Sequence, residues 1–325
     1  MSIALEVRKR RPMRSVVLGL VLLAFPCALV AQSPSPATAI PASLSAVRIG
    51  NRIDITIGGE FFTSYRFAED EKYPFLFPVN GPSGASVTSM RNGRFPHHSS
   101  IFFGCDKVNG GNYWQDRLDT GRIASSGPVL VTSSGPEIVL TDSCVWSRPG
   151  APSPLRDRRR ITFSSPTAAL RQIDFDIELE ALIDVVITKT NHSLLGIRLD
   201  PDLAPVFGGT IVDAEGRTGE SGTFAKTAPW LAAVGSRGGV GPEGLALLQH
   251  PSNPDSPAPW FTRDYGFLSP TPMYWPTDGV ATRLSRGSRL TLRYRILIFS
   301  GDLSTADVAG RYRTYALSSS TALSE

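Results

Sequence analysis

The stretch IDFDIELEALIDVVI, residues 173–187, decides the fold class. Successive side chains of a strand point to opposite faces, so Ile173, Phe175, Ile177, Leu179, Ala181 and Ile183 share one side. Asp174, Asp176, Glu178 and Glu180 occupy the other. A strand with one apolar and one acidic face belongs in an antiparallel sheet packed on one side only. RLTLRYRILIF, residues 289–299, repeats the pattern with Leu290, Leu292, Tyr294, Ile296 and Ile298. In RIDITIGGEFFTSYRF, residues 52–67, two short runs flank Gly58-Gly59, and paired glycines supply the positive φ angles of a tight hairpin turn. Thirty glycines and 26 prolines punctuate short strands, as in a sandwich and unlike a chain of βαβ units. Only STADVAGRYRTYAL, residues 304–317, reads as helical, with Ser304 as N-cap and Val308, Tyr312 and Tyr315 near one face. The expected fold is all-β: a large antiparallel two-sheet β-sandwich with one short C-terminal helix.

Residues 1–31 carry a basic segment, an apolar run from Val16 to Phe25 and a small residue, Ala31, at a plausible cleavage point, which is the pattern of a secretory signal. The apolar run falls short of the roughly 20 residues a bilayer-spanning helix needs, and no later segment approaches that length. Residues 32–43, rich in Pro, Ser and Ala, read as a tether, and 44–325 as one domain. These features predict a periplasmic or secreted protein with no membrane span after cleavage. Of 33 Lys and Arg and 29 Asp and Glu, five basic residues and one acid lie in residues 1–31. That leaves 28 of each sign, and a formally neutral chain argues against a nucleic-acid partner, which requires a basic face. RDRRR, residues 156–160, is expected as a solvated turn between strands. Cys105 and Cys144 remain after cleavage, and the spacing leaves open whether they pair.

Three polar stretches depart from alternation: 73–114, 188–199 and 249–267. Together they hold all four histidines, His97, His98, His192 and His250. Imidazoles titrate near neutrality and serve as general acids or bases, which makes these four candidate catalytic groups, with Asp264 as an accompanying carboxylate. Trp114 and Trp260 are candidate sugar platforms, because a pyranose presents an apolar C–H face to an aromatic ring. Asn80, Arg263 and Tyr265 complete the candidate binding set by meeting hydroxyls. No HxH or HxxxH spacing occurs, so neither a bound metal nor another cofactor is expected, although the histidines with Asp106 or Asp264 are the residue types that could supply ligands.

The stretches YPFLFPVNGPSG, PHHSSIFFG, DKVNGGNYW, TNHSLLGIRL, GLALLQHPSNPDSPAPWFTRDYGF and LRYRILIFSGD resemble the DUF6807 family, which also carries the label "methane oxygenase PmoA". A membrane oxygenase subunit would need several spanning helices, so the literal activity is rejected. Family members have an acid and an additional histidine before the His pair and a base after it; here Arg94, Phe95 and Ser99 stand in that region. Gln249 likewise replaces an acid before His250. A shorter resemblance links TNHSLLG, residues 190–196, to galactose mutarotases. It implies a β-supersandwich in which the histidine at position 192 protonates a sugar ring oxygen alongside a carboxylate base.

These readings converge on an exported carbohydrate-active protein doing acid/base chemistry on a sugar, mutarotase-, lyase- or hydrolase-like, with a small-molecule or oligosaccharide ligand. The alternatives are a noncatalytic sugar-binding or extracellular interaction module and a metal-dependent oxidoreductase. The four histidines are expected to converge on one concave face of the sandwich, because loops remote in sequence can gather at one end of two packed sheets. The oligomeric state is not readable from the sequence.

Overall fold

A computed structural model describes residues 42–115 and 117–319; the expected signal segment and nearly all of the tether lie outside them. The acidic-faced strand occupies Leu170–Ala181, and its burial alternates as the sequence predicts. Its neighbours Leu155–Thr167 and Arg289–Ser300 pair with it antiparallel. The outward-facing, half-buried acids are answered across the ladder: Asp174 bonds Arg295, Asp176 bonds Arg293, and Glu178 bonds Arg158. Opposite charges facing one another across strands stabilise a pairing, which explains why so charged a sequence is extended.

Around these strands a nine-stranded sheet forms, in the order Thr210–Asp213, Trp230–Ser236, Pro242–Gln249, Arg289–Ser300, Leu170–Ala181, Leu155–Thr167, Glu137–Ser147 and Arg122–Ser125, with Val129–Thr132 also on Glu137–Ser147. A second nine-stranded sheet runs Trp260–Arg263, Phe267–Pro270, Ser193–Arg198, Ile101–Cys105, Phe75–Val79, Glu60–Arg66, Arg52–Ile57, Leu44–Ile49 and Ser134–Gly135. The Gly58-Gly59 hairpin is present, with φ of +60° and +87°. Rings from both sheets meet in the core, with Phe62 against Phe163 and Phe103 against Phe175 and Trp146. The chain is thus the expected all-β two-sheet antiparallel sandwich.

Three expectations are corrected. RDRRR lies inside the strand Leu155–Thr167, not in a turn. Arg156, Arg158 and Arg160 point outward. Asp157 and Arg159 point into the core as a fully buried ion pair at 2.7 Å, with Trp146 Nε1 donating to Asp157. The C-terminal helix spans Val308–Ala316, and its N-cap is Asp307, whose carboxylate accepts from Gly310 N, so Ser304 lies outside it. A Cβ on Gly310 would stand 2.2 Å from that carboxylate, so the glycine that interrupts the helical pattern makes room for the cap. One more helical turn, Gly219–Thr223, was not anticipated. Cys105 and Cys144 are both buried free thiols; Cys105 bonds a backbone carbonyl and Cys144 approaches Asp142.

Strands Ile101–Cys105 and Ser193–Arg198 lie in the middle of the second sheet and are buried on both faces. Ile101, Phe103 and Cys105 face the sandwich core. Phe102, Gly196 and Arg198 face the opposite way, into a layer built by the 91–100, 106–115 and 263–267 segments. That outer layer holds the candidate site.

Candidate functional site

Antiparallel pairing of Ser193 with Cys105 brings the residues just beyond each strand end together, and Asp106 N donates to His192 O. Their side chains meet as well: His192 Nδ1 lies 3.0 Å from Asp106 Oδ2. Asp106 is buried, its second oxygen accepts from the Thr190 hydroxyl, and that hydroxyl in turn accepts from His192 N. A carboxylate on Nδ1 fixes the ring's tautomer and orientation and leaves Nε2 to meet a ligand. The His192 ring lies nearly parallel to the Trp114 indole, at 5.8 Å between centroids. Gly196 allows this floor to close, since a Cβ there would sit 3.0 to 3.1 Å from Trp114, Phe102 and Phe267.

The turn before Ile101 delivers the adjacent histidines to the same place. Their rings lie 4.4 Å apart, and His97 is 6.1 Å from His192. His98 is sandwiched between Phe95 at 5.1 Å and Phe267 at 4.5 Å. Burial, followed by the charges of His97, Arg198 and His192, pushes its pKa down to about 2. His98 is therefore a neutral ring in the wall and not a proton donor near neutrality. His97 is half-buried, and its carbonyl accepts from the Tyr73 hydroxyl at 2.5 Å.

Two clefts open on this cluster. One, of about 370 Å³, is lined by all three histidines with Phe95, Arg263, Tyr265 and neighbours. The other, of about 460 Å³, is lined by Asp70, Glu71, Lys72, Arg91 and Trp114 among others, and shares His97 and Gln115 with the first. A proline-rich cleft between Pro254 and Leu292 holds no histidine.

His97, His98 and His192 come together with Arg263 and Tyr265 on the outer face of one sheet, and Trp114 lies under His192, fully buried and so, against expectation, not an open platform. Arg263 also pairs with Glu220 at 3.0 Å and lies 4.1 Å over the Phe261 ring. His250 is elsewhere. It follows Gln249 on the other sheet, where it bonds Ser252, Arg293 and the Ser318 carbonyl and packs on Tyr315 beside the C-terminal helix. Burial and the Arg293 charge push its pKa down. Trp260 is fully buried with its Nε1 on Ala228 O, so it presents no platform. Asp264 accepts from Glu220 N and braces the helical turn Gly219–Thr223. Asn80 is engaged by the Phe61 carbonyl and through its own carbonyl by Arg171. Gln249 is buried and clamps Ala228 and Ala258.

Asp106 is the residue whose role in the site the sequence hid; it was legible only as a ligand type, because its partner lies 86 residues away. Among the described residues no three His, Cys, Asp or Glu side chains are arranged to hold a metal, and no helix is long and apolar enough to cross a membrane.

Several solved structures are similar. A provisionally assigned aldose 1-epimerase from Escherichia coli K12 aligns at 13% identity over 79% of this chain and 98% of its own, with a TM-score of 0.31. A second, from Klebsiella pneumoniae, gives 9% identity, 85% and 88% coverage and a TM-score of 0.37. Heparan sulfate lyase HepC from Pedobacter heparinus gives 10% identity, 77% and 30% coverage and a TM-score of 0.29. Likeness this distant carries no argument about activity. No curated protein matches the chain. A family model described as a family of unknown function matches residues 52–313, and the protein therefore belongs to the DUF6807 family.

Proposed function

We propose that this is an exported carbohydrate-active protein whose outer-face cleft carries out proton transfer on a sugar, with His192 as the working imidazole. The observation that carries the reading is the Asp106–His192 pair at 3.0 Å. Its buried carboxylate holds Nδ1, and the imidazole rests on Trp114 at the edge of an aromatic-walled cleft. A carboxylate that orients an imidazole and stabilises its protonated form is the arrangement general acid/base catalysis needs. The half-buried Phe95 and Tyr265 offer apolar surface to a pyranose; Gln115, Asn191 and Arg263 offer polar groups to its hydroxyls. His97, shared by both clefts, stands where a second proton carrier would act.

The experiment is a saccharide screen by titration calorimetry, followed by turnover on Asp106→Asn and His192→Gln. Turnover is expected to fall by about 10²–10⁴-fold in His192→Gln while binding changes far less. Parental turnover in both variants would overturn the assignment.

A noncatalytic sugar-binding module is the second reading. It is favoured by one observation: among the described residues lining the three-histidine cleft there is no carboxylate to act as the opposing base. Export rests on the N-terminal pattern. N-terminal sequencing of protein from the native cell envelope is expected to begin between Ala28 and Ser35, and an intact Met1 chain in the cytosol would refute it.

A further inference from the structure

The two clefts of the outer layer have a wall in common. His97 and Gln115 line both. The stacked pair of His192 and Trp114 also bridges them: His192 lines the three-histidine cleft, the buried Trp114 underlies the other, and their rings are 5.8 Å apart. The proline-rich cleft, by contrast, shares no lining residue with either. The two clefts therefore adjoin, and the His97 and His192 rings, 6.1 Å apart, stand where they meet.

Their chemistry differs. The three-histidine cleft is partly aromatic, with the half-buried Phe95 and Tyr265 on its wall. The second cleft is lined by Asp70, Glu71, Lys72 and Arg91. Most of these charges are held in place by the protein itself: Arg91 pairs with Glu71, and Lys72 donates to the Arg117 carbonyl and the Thr120 hydroxyl. Groups ordered in advance cost a polar ligand less entropy to engage. Asp70 is exposed and joins no ion pair among the described residues, so its carboxylate is open to a hydroxyl. Beneath them the buried Tyr73 donates to the His97 carbonyl at 2.5 Å, which ties the floor of this cleft to the junction. At about 370 and 460 Å³, each cleft lies near the low end of the roughly 300–1,000 Å³ that small-ligand pockets occupy, so each suits one small unit and the two in line suit a chain.

We propose that the ligand is a glycan chain of at least two sugar units, one in each cleft, whose linkage crosses at His97. The inference rests on the carbohydrate reading above and adds the length and placement of the ligand to it. A lone monosaccharide would fill one cleft and leave the ordered polar groups of the other in water. A neighbouring unit rich in hydroxyls answers them, because a hydroxyl both donates to Asp70 and accepts from Lys72 or Arg91 without itself carrying a charge.

The test is titration calorimetry on the full mature chain with monosaccharides and their disaccharides: glucose with maltose and cellobiose, galactose with galactobiose, and xylose with xylobiose. In at least one series the disaccharide is expected to bind at least about tenfold more tightly than its monosaccharide, because the second unit adds contacts without a second loss of overall translational freedom. Asp70→Ala, which alters only the polar cleft, is expected to cut that ratio at least about threefold. Asn191→Ala, which alters only the three-histidine cleft, is expected to weaken both ligands and keep the ratio. Equal binding of monosaccharide and disaccharide in every series overturns the proposal and leaves the sugar reading standing. A parental ratio that Asp70→Ala does not move puts the second unit elsewhere and overturns the assignment of the polar cleft. Binding of no saccharide at all defeats both readings.

Discussion

His98 makes the protein sensitive to acid in a way that one substitution isolates. In the folded chain, burial between Phe95 and Phe267, aided by the charges of His97, Arg198 and His192, holds its pKa near 2, against 6.5 for the free side chain. Above pH 6.5 the ring is neutral in both folded and unfolded states, and its neutrality carries no penalty. Below that value the unfolded chain takes up a proton that the folded chain refuses until about pH 2, so stability falls as the pH drops through this window. The slope is about 1.4 kcal/mol per pH unit, which amounts to about 2 kcal/mol between about pH 8 and about pH 5. His98→Gln removes the titration while keeping a polar side chain of similar size. Urea unfolding of both proteins at the two pH values supplies the measurement. The parent is expected to lose about 2 kcal/mol more than the variant on acidification, on top of whatever His250 and the carboxylates contribute to both. Identical losses in the two proteins would refute the reasoning, since the ring would then be reaching solvent and protonating in the folded state.

Asp157→Asn strips the counter-charge from Arg159, where both side chains are fully buried, and is expected to cost about 3–5 kcal/mol in denaturant unfolding. Replacing both residues together with apolar ones should recover most of that loss, because no buried charge is then left alone. Trp260→Ala is expected to cost about 3–5 kcal/mol in stability with little direct effect on ligand affinity, since the indole lies in the core on Ala228 O. Calorimetry with a bound saccharide and thermal melting separate the two effects.

Alternation made the fold class legible, because Ile173 to Ala181 can bury one face only when extended. It failed at RDRRR for a reason visible in the sheet. Arg158 and Arg160 stand opposite Glu178 and Asp176 in the register, so the charge that suggests a turn is neutralised across the ladder. The concentration of histidines outside the strands picked out His97, His98 and His192, which do lie side by side. It also gathered in His250, whose chemistry is satisfied by Arg293 and the end of the C-terminal helix, because composition cannot tell which sheet a loop leaves. Trp260 and Trp114 read alike in sequence. Both are buried, and only Trp114 has a histidine across its ring face. The Asp106–His192 pair depends on the register of two strands far apart in the chain, a non-local quantity that no window of sequence contains.

The outer layer divides its labour between strand ends and loops. Asp106 and His192 are anchored where two central strands pair, and Gly196 leaves no slack beneath them. Phe95 and Tyr265 stand on connecting segments, and both are only half-buried. Random substitution would therefore be tolerated unequally. On the proposed function, the rim can drift, altering which sugar is admitted, while the Asp106–His192 pair beneath stays in register. Divergence among the descendants of such a chain should accumulate at positions 91–96 and 263–266 and spare His97 and the strands that carry the pair, so that new specificities arise without rebuilding the site.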